Sequence, residues 1–112
     1  MSLGVIMEVL PLTEPVLLIL LSLAGQPRHG YSILKDVEQV SDGRVVLSTG
    51  TLYGALRRLL DDDWIERLEE KNGSRGRQAY RLTSRGRKNL QFEVSRLKHL
   101  TRLASLRATK DA

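Results

Sequence analysis

The 112-residue sequence contains no cysteine, which removes disulfide staples and thiolate metal sites from consideration. Its two histidines, His29 and His99, stand far apart, so a zinc site of the usual kind lacks its donors. No metal and no cofactor is expected. The longest apolar run, Val16 to Leu21, falls far short of the roughly 20 residues that cross a bilayer. The opening Met1-Ser2-Leu3-Gly4 has no basic n-region of a secretory signal, so no membrane is expected as a partner and the cytoplasm is the expected compartment. No repeat or low-complexity linker divides the chain, whose length suits one folded unit of roughly 100–200 residues. With 41% hydrophobic and 28% charged residues, disorder along the whole length is excluded. The acids Asp61, Glu66 and Glu69 have no histidine or cysteine near them in sequence, so no catalytic residue is expected and an enzyme is not the reading.

One further absence is local. Between Lys71 and Lys88 there is no acid, while seven basic residues occur: Lys71, Arg75, Arg77, Arg81, Arg85, Arg87 and Lys88. The net charge of +5 divides into −1 over residues 1–82 and +6 over residues 83–112. Charge concentrated in this way suits a polyanionic partner, although a basic stretch alone is also consistent with a solvated surface.

The pattern of residues predicts four helices. Thr13-Glu14-Pro15 has the cap, the acid and the first-turn proline of a helix start, and Gly25-Gln26-Pro27 stops that helix near Ala24. It is apolar almost all round, as a central core helix is. A second helix over Gly30 to Val40 places Ile33, Leu34, Val37 and Val40 inward. The turn signal Asp42-Gly43 is followed by a short predicted strand, Arg44 to Leu47. A third helix, capped by Ser48 or Thr49, turns Leu52, Leu56 and Leu59 inward and Gly50, Gly54 and Arg57 outward, with Thr51, Tyr53 and Arg58 at the margins. It ends at Asp61-Asp62-Asp63, because acids oppose the negative end of the macrodipole. Two predicted strands, Trp64 to Glu69 and Gln78 to Leu82, flank the polar loop Lys71 to Arg77 as a hairpin. Thr83 caps a long final helix reaching Ala108.

Three helices followed by a basic-tipped hairpin outline a winged helix-turn-helix. The expected fold is mainly α with a small β-hairpin, divided into a DNA-binding domain over 12–82 and a C-terminal dimerisation helix over 83–108. In such proteins the recognition helix enters the major groove of double-stranded DNA. Here that is the third helix. Gly50 and Gly54 let its backbone approach the duplex, amides at its start suit a phosphate, Thr51 and Tyr53 bring hydroxyls, and Arg57 brings charge. The hairpin tip adds Arg75 and Arg77. Each residue also has a plainer reading: Tyr53 as cover for the core edge, Arg57 and Arg58 as solvated charges, Arg75 and Arg77 as turn decoration. Trp64 and Tyr80 read as core, His29 as packing or capping near the second helix, and His99 as a surface or interface residue. A winged helix used only for protein contact is the rival function, and a salt titration separates the two.

Four segments carry a family resemblance: Leu12-Thr13-Glu14, Pro27-Arg28-His29-Gly30-Tyr31, Gly50-Thr51-Leu52-Tyr53, and Tyr80-Arg81-Leu82-Thr83 with Gly86. Together, over about residues 12–88, they resemble the PadR family of bacterial regulators. The resemblance implies a homodimeric winged-helix repressor released by a ligand or other signal. It also implies DNA contacts from Tyr31, Thr51, Tyr53 and the wing arginines. Gly54 departs from the proline often found after that tyrosine, and the single C-terminal helix is similar to that of shorter members. On that helix Leu97, Leu100, Leu103 and Leu106 recur every third residue, drifting about 60° per step, and Phe92 joins the side of the last two. An apolar surface that wraps so far calls for a partner, expected to be a second copy related by a two-fold axis. Two recognition helices one DNA turn apart, roughly 34 Å, would read a palindromic operator. The long helices of such a dimer leave space for a small-molecule effector, whose identity no residue specifies.

Overall fold

The computed structural model describes residues 12–68 and 78–108. In order these form α1 (Glu14–Ala24), β1 (Arg28–His29), α2 (Gly30–Val40), α3 (Thr49–Asp61), β2 (Ile65–Leu68), β3 (Ala79–Leu82) and α4 (Ser84–Ala108). The fold is mainly helical with a small antiparallel sheet in the order β1-β3-β2. No helix among the described residues is long and apolar enough to cross a membrane. None of them form a cluster of metal-ligating side chains.

Local chemistry sets the helix bounds. Thr13 caps α1, its hydroxyl accepting from the Val16 amide at 3.3 Å. Ile19, Leu20 and Leu23 of α1 lie fully inside. They meet Ile33 and Val37 of α2, Leu52, Leu56 and Leu59 of α3, Trp64, Ile65, Tyr80 and Leu82 of the hairpin, and Leu90 of α4. Trp64 and Tyr80 are thus core residues, as expected. The start of α4 helps to close the same core: besides Leu90, half-buried Val94 packs against it.

Two expectations are corrected. Residues Arg44 to Leu47 form no strand. The place beside β3 opposite β2 is taken by β1, where Arg28 pairs with Tyr80 and His29 with Ala79. The 44–47 segment instead leaves Val45 and Leu47 half-buried against the core, and the Val45 amide donates to the Ser41 hydroxyl at 3.0 Å. Val40 does not face inward but is exposed, because the chain leaves α2 there and Ser41 takes the buried place. The strands are also shorter than expected at their described ends: β2 begins at Ile65 and β3 at Ala79. Glu69 and the hairpin loop, with Arg75 and Arg77, lie outside the described residues.

The turn from α3 to β2 is the anchor for α4. Asp63 adopts a left-handed backbone (φ 63°), which costs a residue with a Cβ about 1 kcal/mol. This turn exposes carbonyls that α4's start then uses. The Thr83 amide donates to the Trp64 carbonyl at 3.0 Å, and the Thr83 hydroxyl donates to the Asp63 carbonyl at 2.6 Å. That hydroxyl also accepts from the Gly86 amide at 3.0 Å, capping α4 as the sequence predicts. Gly86 lies directly on the Trp64 carbonyl, where a Cβ would overlap it. Close approach, not backbone conformation, therefore requires glycine here.

Candidate nucleic-acid interface

The outward face of α3 is built from its cap onward. Ser48 accepts the Thr51 amide at 3.1 Å and donates its own proton to the Thr51 hydroxyl at 2.9 Å. Thr51 is exposed, and with an oxygen already accepting, its hydroxyl hydrogen is the part left to point outward. Gly50, Gly54 and Arg57 follow at helical spacing on the exposed side, as expected, with Arg58 exposed beside them. A Cβ built on Gly50 or Gly54 would meet nothing within 4 Å. Neither glycine serves packing among the described residues, although a glycine inside a helix costs about 1 kcal/mol relative to alanine.

Tyr53 lies between solvent and the start of α2. It is 46% exposed, yet its phenol end rests on Gly30, where a Cβ would overlap the ring's hydroxyl end. It thereby joins α3 to the start of α2. Tyr31, 68% exposed, stands one residue beyond Gly30, with the Lys35 ammonium 5.6 Å from its ring centroid. That distance allows a cation–π contact and places a positive charge over an exposed ring. His29 occupies the cap position of α2 without capping through its side chain.

On the hairpin, Glu66 and Arg81 face each other across β2 and β3 and pair at 2.7 Å. Arg81, one of the seven basic residues in the acid-free stretch, therefore spends its charge on a cross-strand neighbour. Arg87, another of them, turns its guanidinium to the Ala24 carbonyl at 3.3 Å. The Glu66 carboxylate offsets the Arg81 charge, whereas Arg87, bonded to a neutral carbonyl, keeps its own.

The chain matches the model of the transcriptional regulator PadR-like family over residues 18–92. It belongs to that family. The PadR-like regulators act on transcription and are not enzymes. This regulator is 43% identical over 85 residues to an uncharacterised 37.1 kDa protein in transposon TN4556 of Streptomyces fradiae. That match takes in 76% of this chain but only 23% of the relative, so the chain spans less than a quarter of that protein's length. Among solved structures, a PadR family transcription regulator from Clostridium difficile R20291 is similar at 26% identity and a TM-score of 0.70. It covers 84% of this chain and 97% of that one. Bacillus subtilis PadR in complex with operator DNA is similar at 21% identity and a TM-score of 0.62, over 70% of this chain and 45% of that one. This second likeness is one of fold.

α4 extends beyond its contacts with the core. Leu97 is half-buried and lines an open apolar groove against α1 with Leu17, Leu21 and Val94. Leu100, Leu103 and Leu106 are exposed, at 66% for Leu106. Phe92 is exposed as well, and so is His99. Packing on α1 therefore accounts for the first half of the helix and leaves its second half bare.

The sequence reading missed Glu93. This carboxylate is 1% exposed and sits between Leu90 and Leu97 on the inward side of α4. Arg96 grips it with Nε and Nη2, both at 2.8 Å, and the Leu12 amide donates to it at 3.2 Å. The Arg96 hydrogen bonds hold the carboxyl below its usual range; burial opposes them, and the Leu12 amide and the Arg96 charge add to them. An acid inside an otherwise apolar stripe was the available signal.

Proposed function

We propose that this regulator is a homodimeric, sequence-specific DNA-binding repressor that reads a palindromic operator. α3 enters the major groove, with Gly50 and Gly54 allowing close approach and Thr51, Tyr53 and Arg57 supplying hydrogen bonds and charge. Tyr31 contacts the backbone from the start of α2, and Arg75 and Arg77 contact it from the hairpin loop. Residues 12–82 form the reading domain, and residues 83–108 contribute the dimerisation helix through Leu97, Leu100, Leu103 and Leu106.

The observation that carries this reading is the outward side of α3. Two exposed glycines weaken the helix without serving any packing contact among the described residues. They stand in line with a threonine hydroxyl and a free-standing arginine face. A helix that gives up stability on its solvent side gains something from a close external surface, and the operator complex of the Bacillus subtilis relative supplies the kind of surface. The bare leucines of α4 support the dimer, because an apolar stripe of this length is covered in a stable regulator.

Selection of bound duplexes from a random pool tests the reading. Recovery of a palindrome with half-sites about one helical turn apart is expected. Binding should weaken about 3.5-fold per phosphate contact for each fourfold rise in salt. Recovery of no enriched sequence would refute specific recognition, and salt-insensitive binding would favour a protein partner.

A further inference from the structure

The exposed half of α4 can set the distance between two reading heads only if its axis is fixed on the domain it leaves. Two polar anchors bracket its contact with that domain. The first is at the start, where Thr83 engages the Asp63 and Trp64 carbonyls. The second lies ten residues on, about 15 Å along the helix, where Glu93 holds the Leu12 amide. Between them Leu90 is buried in the core and the Arg87 guanidinium donates to the Ala24 carbonyl at 3.3 Å; Val94 packs on the core just beyond Glu93.

Apolar burial is non-directional, so a helix held by leucines alone can roll or tilt at little cost. The Leu12 amide is different. It is a single donor on the chain entering α1, and only an acceptor at one place satisfies it. Glu93 supplies that acceptor, and Arg96 fixes the carboxylate from its other side with a two-pronged contact. A buried carboxylate pair adds little net stability over an apolar side chain, and its better-supported use is to select one arrangement among several.

We infer that Glu93 is a positioning residue: by holding the Leu12 amide it sets the direction of α4 on the reading domain, and so the half-site spacing that the dimer accepts. The inference rests on the dimeric DNA-binding reading proposed above. Leverage makes it measurable. Leu106 lies about 35 Å from Thr83 along the helix, so each ångström of slack at Glu93 becomes about 2 Å at Leu106. In a two-fold pair the displacement enters twice and exceeds the roughly 3.4 Å rise of one base pair.

The test uses the full chain and a set of palindromes taken from the selected operator, with the half-site separation changed one base pair at a time. The wild type is expected to show one sharp optimum, losing at least tenfold in affinity one base pair to either side. Glu93→Leu, checked as folded by circular dichroism and dimeric by ultracentrifugation, should bind the three central spacings within about threefold of one another. Glu93→Gln keeps an acceptor for the Leu12 amide and should restore the optimum. If Glu93→Leu does not fold, Glu93→Met, which also removes the carboxylate acceptor for the Leu12 amide, should broaden the profile in the same way. A folded, dimeric Glu93→Leu or Glu93→Met with the sharp wild-type profile overturns the inference and leaves the DNA reading intact. A wild type that binds no duplex overturns the DNA reading and this inference together.

Discussion

Replacing Gly54 by alanine should move stability and function in opposite directions. Gly54 lies in the interior of the 13-residue α3, exposed, with open space where a Cβ would go. An alanine there meets no atom of the described residues, and it gains the helix-propensity difference of about 1 kcal/mol. For a domain of this size that raises the melting temperature by about 4–8 °C. On DNA the added methyl stands between the helix backbone and the groove. Overpacking by one methyl at a close contact costs about 1 kcal/mol at the lower end of the usual range. A dimer presents it at both half-sites, so the loss is about 2 kcal/mol, or roughly thirtyfold in affinity. Thermal unfolding of the free protein and fluorescence anisotropy on the selected operator at fixed salt measure the two effects side by side. A variant that melts higher and binds as well as the wild type would show that Gly54 is idle, and the argument from α3's outward face would fall. A variant that melts lower would contradict the open space at that position.

Three other outcomes are expected. Arg75→Ala with Arg77→Ala should lower affinity by a similar factor on every duplex and reduce the slope of log affinity against log salt by about 2; an unchanged slope in salt titrations would remove the wing from the mechanism. Leu103→Lys with Leu106→Lys alters exposed positions only, so circular dichroism should show an unchanged fold while ultracentrifugation shows monomers. Dimers persisting in that variant at micromolar concentration would place the interface elsewhere. Because the Glu93 carboxyl is held below its ordinary value of 4.5, its stabilisation is fully present above that pH and is lost as the pH falls through the lowered folded value. The gap in melting temperature between the wild type and Glu93→Gln should therefore close in acid below about pH 4.5. A gap that stays constant down to pH 3 would deny the lowered value.

What the sequence revealed, and what it hid, follows from the range of each interaction. The bounds of α1 were legible because cap, acid, proline and terminal glycine act within a few residues of one another. The inward leucines of α3 were legible because helical spacing is a local rule, and the exposed leucines of α4 because too many fall outside one stripe. The predicted strand at Arg44 to Leu47 failed for a non-local reason. Its β-branched residues suit a strand, but the edge it would join is occupied by Arg28 and His29, a two-residue strand squeezed between Pro27 and the start of α2. No propensity marks so short a segment, and only the tertiary arrangement decides which piece of chain reaches β3.

Glu93 shows the same limit at the candidate site. Its pairing with Arg96 spans three residues and could be read on a helical wheel, where it passes for an ordinary surface pair. What distinguishes it is the Leu12 amide, 81 residues away. Backbone amides carry no sequence signature, so a side chain whose partner is one looks unpaired or merely solvated until the fold is known. The pattern does leave one trace: the acid falls between Leu90, Val94 and Leu97 on the side that packs inward. A charge at such a position must find partners or be excluded from the interior. In a regulator whose two halves must be held at a set angle, that requirement makes the apolar stripe of the connecting helix the place to look for positioning residues.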